Sequence, residues 1–180
     1  TWSFSLDPSA CQRSLALARA ETATPFMLFL AAYLLLLYQE SGQVDLVVGT
    51  PVAGRDHAEL EGVIGPLVNH LVFRANLTET PTFRALLRRV RDAALDLYEQ
   101  KGATYESLRE RYEPTEDPSR APLFQARFLV HNTPPPTGDG GLRRGNSIDA
   151  RRTVALFDLS LGLEYKHTWC GSFEYSTDLF

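Results

Sequence analysis

Residues 24 to 51 read TPFMLFLAAYLLLLYQESGQVDLVVGTP, and this stretch decides the fold class. From Phe26 to Tyr38 every residue is apolar, with no polar face at either period. A helix that is apolar all round lies inside a protein or a membrane. A membrane span needs about 20 such residues, so Phe26 to Tyr38 is too short and reads as a helix buried in protein. Thr24 is a natural N-cap, Pro25 suits the first turn, and Gly42 stops the helix. Then Asp45 to Pro51, DLVVGTP, is a short apolar run suited to a strand covered on both faces. Gly49, Pro51 and Gly54 are expected to punctuate the loop that follows. A buried helix feeding a buried strand calls for a sheet with helices packed on it.

Reading outward, Asp7 and Pro8 open an earlier helix that runs to about Ala20. Asn69 to Leu77 (NHLVFRANL) reads as a second strand. Thr80-Pro81 opens a strongly amphipathic helix. Phe83, Leu86, Leu87, Val90, Ala94, Leu97 and Tyr98 form its apolar stripe, and Arg84, Arg88, Arg91, Asp92 and Glu99 form a solvated face. Thr104 to Tyr112 reads as a short helix and Phe124 to Asn132 as a strand. Pro134 to Asn146, rich in proline and glycine, reads as a flexible surface connection. Leu156 to Tyr165 and Gly171 to Tyr175 pair as a hairpin around His167-Thr168. The fold class expected is α/β (α+β): a mixed β-sheet with packed helices.

Several function classes fall away on composition. The 180 residues carry 18 Lys+Arg against 22 Asp+Glu, a net charge of −4. That balance lacks the basic footprint of a nucleic-acid binder, and no polybasic segment addresses anionic lipid. Neither nucleic acid nor membrane is expected as a partner. Cys11 and Cys170 are too few for a disulfide scaffold and are read as reduced thiols. The first residues, TWSFSLDPSA, have no basic and apolar leader pattern. Together these readings give a cytoplasmic expectation. No Gly-rich phosphate loop and no GxSxG elbow occur. Neither cysteine nor any of His57, His70, His131 and His167 has metal-ligand spacing, so no metal is expected. From the residues alone, no catalytic set is visible.

Five segments nevertheless stand in an informative order. VVGTPVAGR (Val47 to Arg55) is followed by IGPLVNHLVFR (Ile64 to Arg74). DPSRAPLFQ (Asp117 to Gln125) then leads into a strand ending Val130-His131-Asn132. FDLSLGLEY (Phe157 to Tyr165) and FEYSTDLF (Phe173 to Phe180) close the chain. In this order and spacing they resemble the condensation domains of nonribosomal peptide synthetases, across nearly the whole chain. The resemblance implies a two-lobed fold, each lobe like chloramphenicol acetyltransferase, with a tunnel between them. It implies amide formation between two carrier-protein thioesters. The family's catalytic motif, HHxxxDG, does not occur here. Residues 1–180 are therefore expected to be the C-terminal lobe alone, inactive by itself, with no catalytic residue of its own. Its expected partners are the N-terminal lobe and the donor and acceptor carrier proteins. No cofactor is expected to bind directly, since the substrates ride on phosphopantetheine arms. Two other readings stay open: a non-catalytic module that docks a carrier or a neighbouring domain, and a lobe of a CoA-dependent acyltransferase.

The resemblance also suggests supporting residues. Arg55 looks like the arginine that pairs with the Asp of HHxxxDG across the lobes; its alternative is a salt bridge within this lobe. Gly65 to Asn69 looks like the crossover segment at the tunnel floor, with a turn at Gly65 and the Asn69 amide holding the lobes in register. An ordinary loop entering a strand is the alternative. Ser119 and Arg120 are expected to organise the loop before Pro122-Leu123-Phe124, and Asn132 to end a strand facing the tunnel. Departures from the family pattern are His70 after the Val68-Asn69 pair, Pro66-Leu67 before it, and Thr104 where the family has a proline.

Overall fold

The computed structural model describes residues 1–55, 58–60, 62–78, 82–99, 103–112, 120–131 and 154–180. The expected connection at 134–146 lies outside the described residues, as do Ser119 and Asn132. In chain order the elements are β1 (Trp2–Ser5), α1 (Pro8–Ala20), α2 (Pro25–Ser41), β2 (Asp45–Val52), β3 (Asn69–Asn76), α3 (Phe83–Glu99), α4 (Tyr105–Tyr112), β4 (Ala126–His131), β5 (Leu159–Tyr165) and β6 (Trp169–Tyr175). The strands form one six-stranded sheet in the order β1-β6-β5-β4-β2-β3. β2, β4 and β5 run parallel, and the remaining pairs are antiparallel, so the sheet is mixed as expected.

The caps explain the helix limits. The Asp7 carboxylate accepts from the Ala10 amide at 2.7 Å, with Pro8 in the first turn. Thr24 accepts from the Met27 amide, and Gly42 ends α2 with φ +70°, a conformation glycine adopts without Cβ strain. α3 starts at Phe83, two residues beyond Pro81, because the Thr82 hydroxyl caps it through the Ala85 amide.

One face of the sheet carries the core. Leu46 and Val48 of β2, Phe73 and Ala75 of β3, Phe128 of β4 and Leu161 and Leu163 of β5 pack under α2 and α3. Tyr33 of α2 stacks on Phe128, and Phe29 meets Trp169. α2 is buried at Met27 to Ala31, Tyr33 and Leu34, while Ala32 is exposed, so it is not covered on all sides as its sequence suggests. Leu36 and Tyr38 emerge partly into solvent.

Three findings depart from the sequence reading. Trp2–Ser5 forms an edge strand where only a helix from Asp7 is expected; Trp2, Phe4 and Phe173 stack across it, and the Phe4 ring lies directly on Gly171. β2 continues through Gly49 and Pro51 to Val52, because both residues pair with β3. The solvated face of α3 is only partly solvated. Arg84 and Arg88 grip the carboxylate of Glu21, itself buried at the end of α1, and Arg91 donates to the Glu21 carbonyl. Among the described residues, no single helix is long and apolar enough to cross a membrane.

Candidate functional site

Side chains alternate across a strand, so every core-facing residue has a neighbour aimed at the opposite face. On that far face the sheet register lines residues up in rows. Val72, Gly49, Arg127, Ser160 and Glu174 form one row across β3, β2, β4, β5 and β6. Leu129, Gly162, Ser172 and Ser3 form the next, and His131, Glu164, Cys170 and Ser5 a third. This face is polar where the helix face is apolar. Two adjoining cavities open on it, of about 520 and 350 Å³, sharing His131, Gly162 and Ser172. Cys170 is a half-buried free thiol on this face, and Cys11 is a free thiol buried on the other.

The end of the face nearest β3 is aromatic. Phe124 is 1% exposed and sits over Gly49, where a Cβ would lie 2.0 Å from the ring. It stacks on Phe157 at 5.2 Å and meets Tyr105 and His70. The chain reaches this slot through a tight turn. The Phe124 amide donates to the Pro122 carbonyl across Leu123, whose φ is +66°. That is the rarer form of γ-turn, costly for a branched side chain. The Tyr105 hydroxyl also donates to the Pro122 carbonyl. The Arg127 guanidinium also lies over Phe157, 5.1 Å from the ring centre. His70 is held below its ordinary pKa, chiefly by burial and then by the charge of Arg127, against a smaller opposing effect of Glu106. The imidazole is thereby kept neutral at physiological pH.

Of the expected supporting residues, Asn69 lies at this aromatic end, next to His70 and Tyr105. Asn69 is a staple within the lobe. Its Oδ1 accepts from the amides of His70 and Tyr105, and its Nδ2 donates to the Ala103 carbonyl, fastening β3 to the start of α4. Gly65 does take a turn, with the Leu67 amide donating to its carbonyl across Pro66. The space where a Gly65 Cβ would stand is open. The Arg55 guanidinium donates to the carbonyls of Val63 at 3.1 Å and Ala53 at 3.5 Å. Among the described residues it has no carboxylate partner. Arg120 is exposed on the loop before Phe124.

Sequence reasoning passed over Gly49 and Gly54, which it treated as loop punctuation. Gly54 has φ +63°, and a Cβ there would lie 2.0 Å from the Leu67 carbonyl oxygen. There the end of VVGTPVAGR packs against Leu67 of IGPLVNHLVFR, beyond the pairing of β2 with β3. Arg127, Ser160 and Glu174 were also missed. The signal for Ser160 and Glu174 was the alternation in LSLGL and CGSFEY, which puts both on one side of the hairpin.

The model of the condensation domain family matches residues 1–180. The chain belongs to the condensation-domain family. Its relatives include tyrocidine synthase 2 of Brevibacillus parabrevis, 39% identical over 91% of this chain and 5% of that protein. Phosphinothricin tripeptide synthetase PhsB of Streptomyces viridochromogenes is 34% identical over 98% of this chain and 15% of its own length. The condensation domain of the monacolin K polyketide synthase MokA superposes with a TM-score of 0.82 at 24% identity, covering 99% of this chain and 42% of that one. The chain thus spans only a small part of its curated relatives and about two-fifths of that solved condensation domain. It is a fragment of a condensation domain of nonribosomal peptide synthetases, with the chloramphenicol-acetyltransferase-like fold of that family. The rows of polar residues and the aromatic slot are the far sheet face of this condensation-domain fragment.

Proposed function

We propose that residues 1–180 form the C-terminal lobe of a two-lobed condensation domain, whose complete form joins two carrier-bound acyl groups through an amide bond. One observation carries this reading: the family model matches the whole chain, while the sequence contains no HHxxxDG motif. In the reaction, the amine of the acceptor thioester attacks the carbonyl of the donor thioester, and the donor thiol leaves. The histidine that orients the amine belongs to the other lobe. The partners are that lobe and the donor and acceptor carrier proteins. No cofactor binds directly, and the substrates arrive on phosphopantetheine arms. The reading puts the protein in the cytoplasm, where both cysteines stay free thiols, and in the biosynthesis of a secondary metabolite of the antibiotic type.

This lobe's contribution is positional. Arg55 is anchored through two main-chain carbonyls, leaving a planar fork of donors to meet the Asp of the catalytic loop. Gly65 and Asn69 set the course of the crossover segment, Ser119 and Arg120 organise the loop before the Phe124 slot, and Asn132, which follows β4 in the sequence, contributes at the tunnel. The test is amide formation by the complete two-lobed domain with loaded carriers. Arg55→Ala is expected to lower the rate on the order of 100-fold, the cost of misplacing a catalytic group by about 1 Å. Arg55→Lys is expected to restore part of it, and both variants should melt like the parent. A near-normal rate for Arg55→Ala overturns the cross-lobe role. Amide formation by residues 1–180 alone overturns the assignment of catalysis to the other lobe.

A further inference from the structure

The sheet ends at β1 on one side and at β3 on the other. β1 has four residues; β3 has eight, contains no proline, and pairs with β2 from Asn69 to Asn76 without a bulge. Long edges of this kind are ordinarily blunted, because a row of unpaired main-chain groups invites another strand. The hydrogen bonds show which groups those are. The Leu77 amide donates to the Val44 carbonyl, one step beyond the Asp45–Asn76 pair. In an antiparallel ladder bonded and non-bonded pairs alternate, so Leu71, Phe73 and Ala75 bond to β2, while His70, Val72, Arg74 and Asn76 turn their N–H and C=O outward. Pro51, which has no N–H, stands opposite His70, as this parity allows. Both ends of the outer edge are capped. Asn69 Oδ1 takes the His70 amide, and Arg89 donates to the carbonyls of Asn76 at 2.7 Å and Thr78 at 2.9 Å. Between the caps, the outward main-chain groups of Val72 and Arg74 have no partner among the described residues.

A cavity of about 230 Å³ opens along this window, between Val72, Phe73 and Arg74 of β3 and Ala93, Asp96 and Leu97 of α3. We infer that it is a docking groove for an extended segment of the same synthetase chain, which adds a strand to β3 and carries a lysine or arginine to Asp96. The inference rests on the proposed condensation reading for the longer chain that supplies the segment. The N–H and C=O groups of Val72 and Arg74 bond the added strand, as in other strand additions. Side chains of a strand alternate between the sheet faces, so every second one of the segment turns towards α3. There the wall is apolar at Ala93 and Leu97 and acidic at Asp96, an exposed carboxylate with no ion pair among the described residues. Arg74 does not draw an acidic segment instead, because Asp45 already holds its guanidinium with hydrogen bonds of 2.9 and 2.6 Å. An apolar residue with a basic one two positions away is the pattern that fits. The source is the chain itself. Residues 1–180 match 5% of tyrocidine synthase 2 and 15% of PhsB, so most of such a chain lies outside this lobe and is tethered to it at high local concentration.

The test is amide hydrogen exchange, read residue by residue across 69–77, in the purified intact synthetase and in the 180-residue chain. Leu71 and Phe73, bonded to β2, are expected to be protected in both. Val72 and Arg74 should exchange at least about tenfold more slowly in the intact synthetase than in the 180-residue chain. Asp96→Lys, an exposed change, should speed both amides in the intact synthetase by about threefold or more, since an exposed ion pair is worth that much. Val72→Pro removes an outward N–H without touching the ladder to β2, and proline is tolerated on such an edge. It should release the Arg74 amide in the intact synthetase and leave Phe73 protected. Equal exchange of Val72 and Arg74 in the two proteins overturns the inference. So does protection that Asp96→Lys leaves unchanged. Protection of Arg74 that survives Val72→Pro means a surface lying over the edge rather than a strand paired with it, and overturns it too. Protection that vanishes on dilution means a second copy and overturns the tethered segment. Amide formation by the same preparation separates this inference from the reading it rests on. If no amide forms while Val72 and Arg74 are protected, the reaction is wrong and the groove stands. If amide forms while both exchange freely, the groove is wrong and the reaction stands.

Discussion

Gly49→Ala gives two physical arguments opposite signs. Gly49 lies in the interior of β2, paired with Val72 and Arg127. Replacing a strand glycine by alanine ordinarily stabilises by about 0.5–1 kcal/mol, since it limits the unfolded chain. Here the new Cβ would stand 2.0, 2.1 and 2.6 Å from three carbons of the Phe124 ring. Carbon atoms rest at about 3.5–4.0 Å, so the ring or the strand must shift by roughly 1.5 Å. The ring has little room to move, being 1% exposed and fixed by Phe157, Tyr105 and His70. Overpacking of this kind costs about 1–3 kcal/mol, which outweighs the backbone gain. A double-mutant cycle isolates the contact. Phe124→Ala alone should cost about 3–5 kcal/mol by leaving a cavity. In the Gly49→Ala background it should cost less, with a coupling of about 1–3 kcal/mol, because the new methyl occupies part of the hole. The measurement is urea unfolding of the four proteins followed by far-ultraviolet circular dichroism. If Gly49→Ala were as stable as the parent, or the cycle additive within about 0.5 kcal/mol, the ring-over-glycine account would be refuted.

Glu21→Gln tests the clamp from α3. Hydrogen bonds from Arg88 and Arg84 hold the Glu21 carboxyl below its ordinary pKa. Its contribution is therefore fully present above the ordinary glutamate range and is lost as pH falls through the lower folded value. The stability gap between parent and variant should be widest near neutrality and close in acid; a gap that does not change with pH contradicts the clamp. Tyr33→Phe removes a buried hydroxyl that has no partner among the described residues, and whose pKa burial pushes up. It should be neutral or stabilising by up to about 1 kcal/mol in the same unfolding assay, whereas a clear loss would mean that the hydroxyl is bonded. Asn69→Ala removes three hydrogen bonds between β3 and the start of α4. A loss of about 1–2 kcal/mol is expected, with faster hydrogen exchange in α4; unchanged protection there would mean that Asn69 is not what fastens the helix.

Local signals sufficed for most of the architecture. The caps at Asp7, Thr24 and Gly42, the apolar run of α2, the stripe of α3 and the alternation in β3 and the hairpin are properties of consecutive residues. They reach into the structure unchanged because each is satisfied within a few residues of chain. The order of the five segments carried the family in the same way. Where partners are remote, the sequence was silent or misleading. Trp2–Ser5 became a strand only because β6 offered it an edge. Gly49 reads as a turn residue and serves as a slot for a ring 75 positions later in the chain. The arginines of α3 read as solvent-facing until Glu21, more than 60 residues earlier, is folded against them. Ser160 is one polar residue of an alternating strand by sequence. Only the register of β4, β5 and β6 sets it between Arg127 and Glu174 and buries its hydroxyl. Periodicity says which side of a strand a residue takes; which strands become neighbours, and at what register, is decided by burial of the whole core.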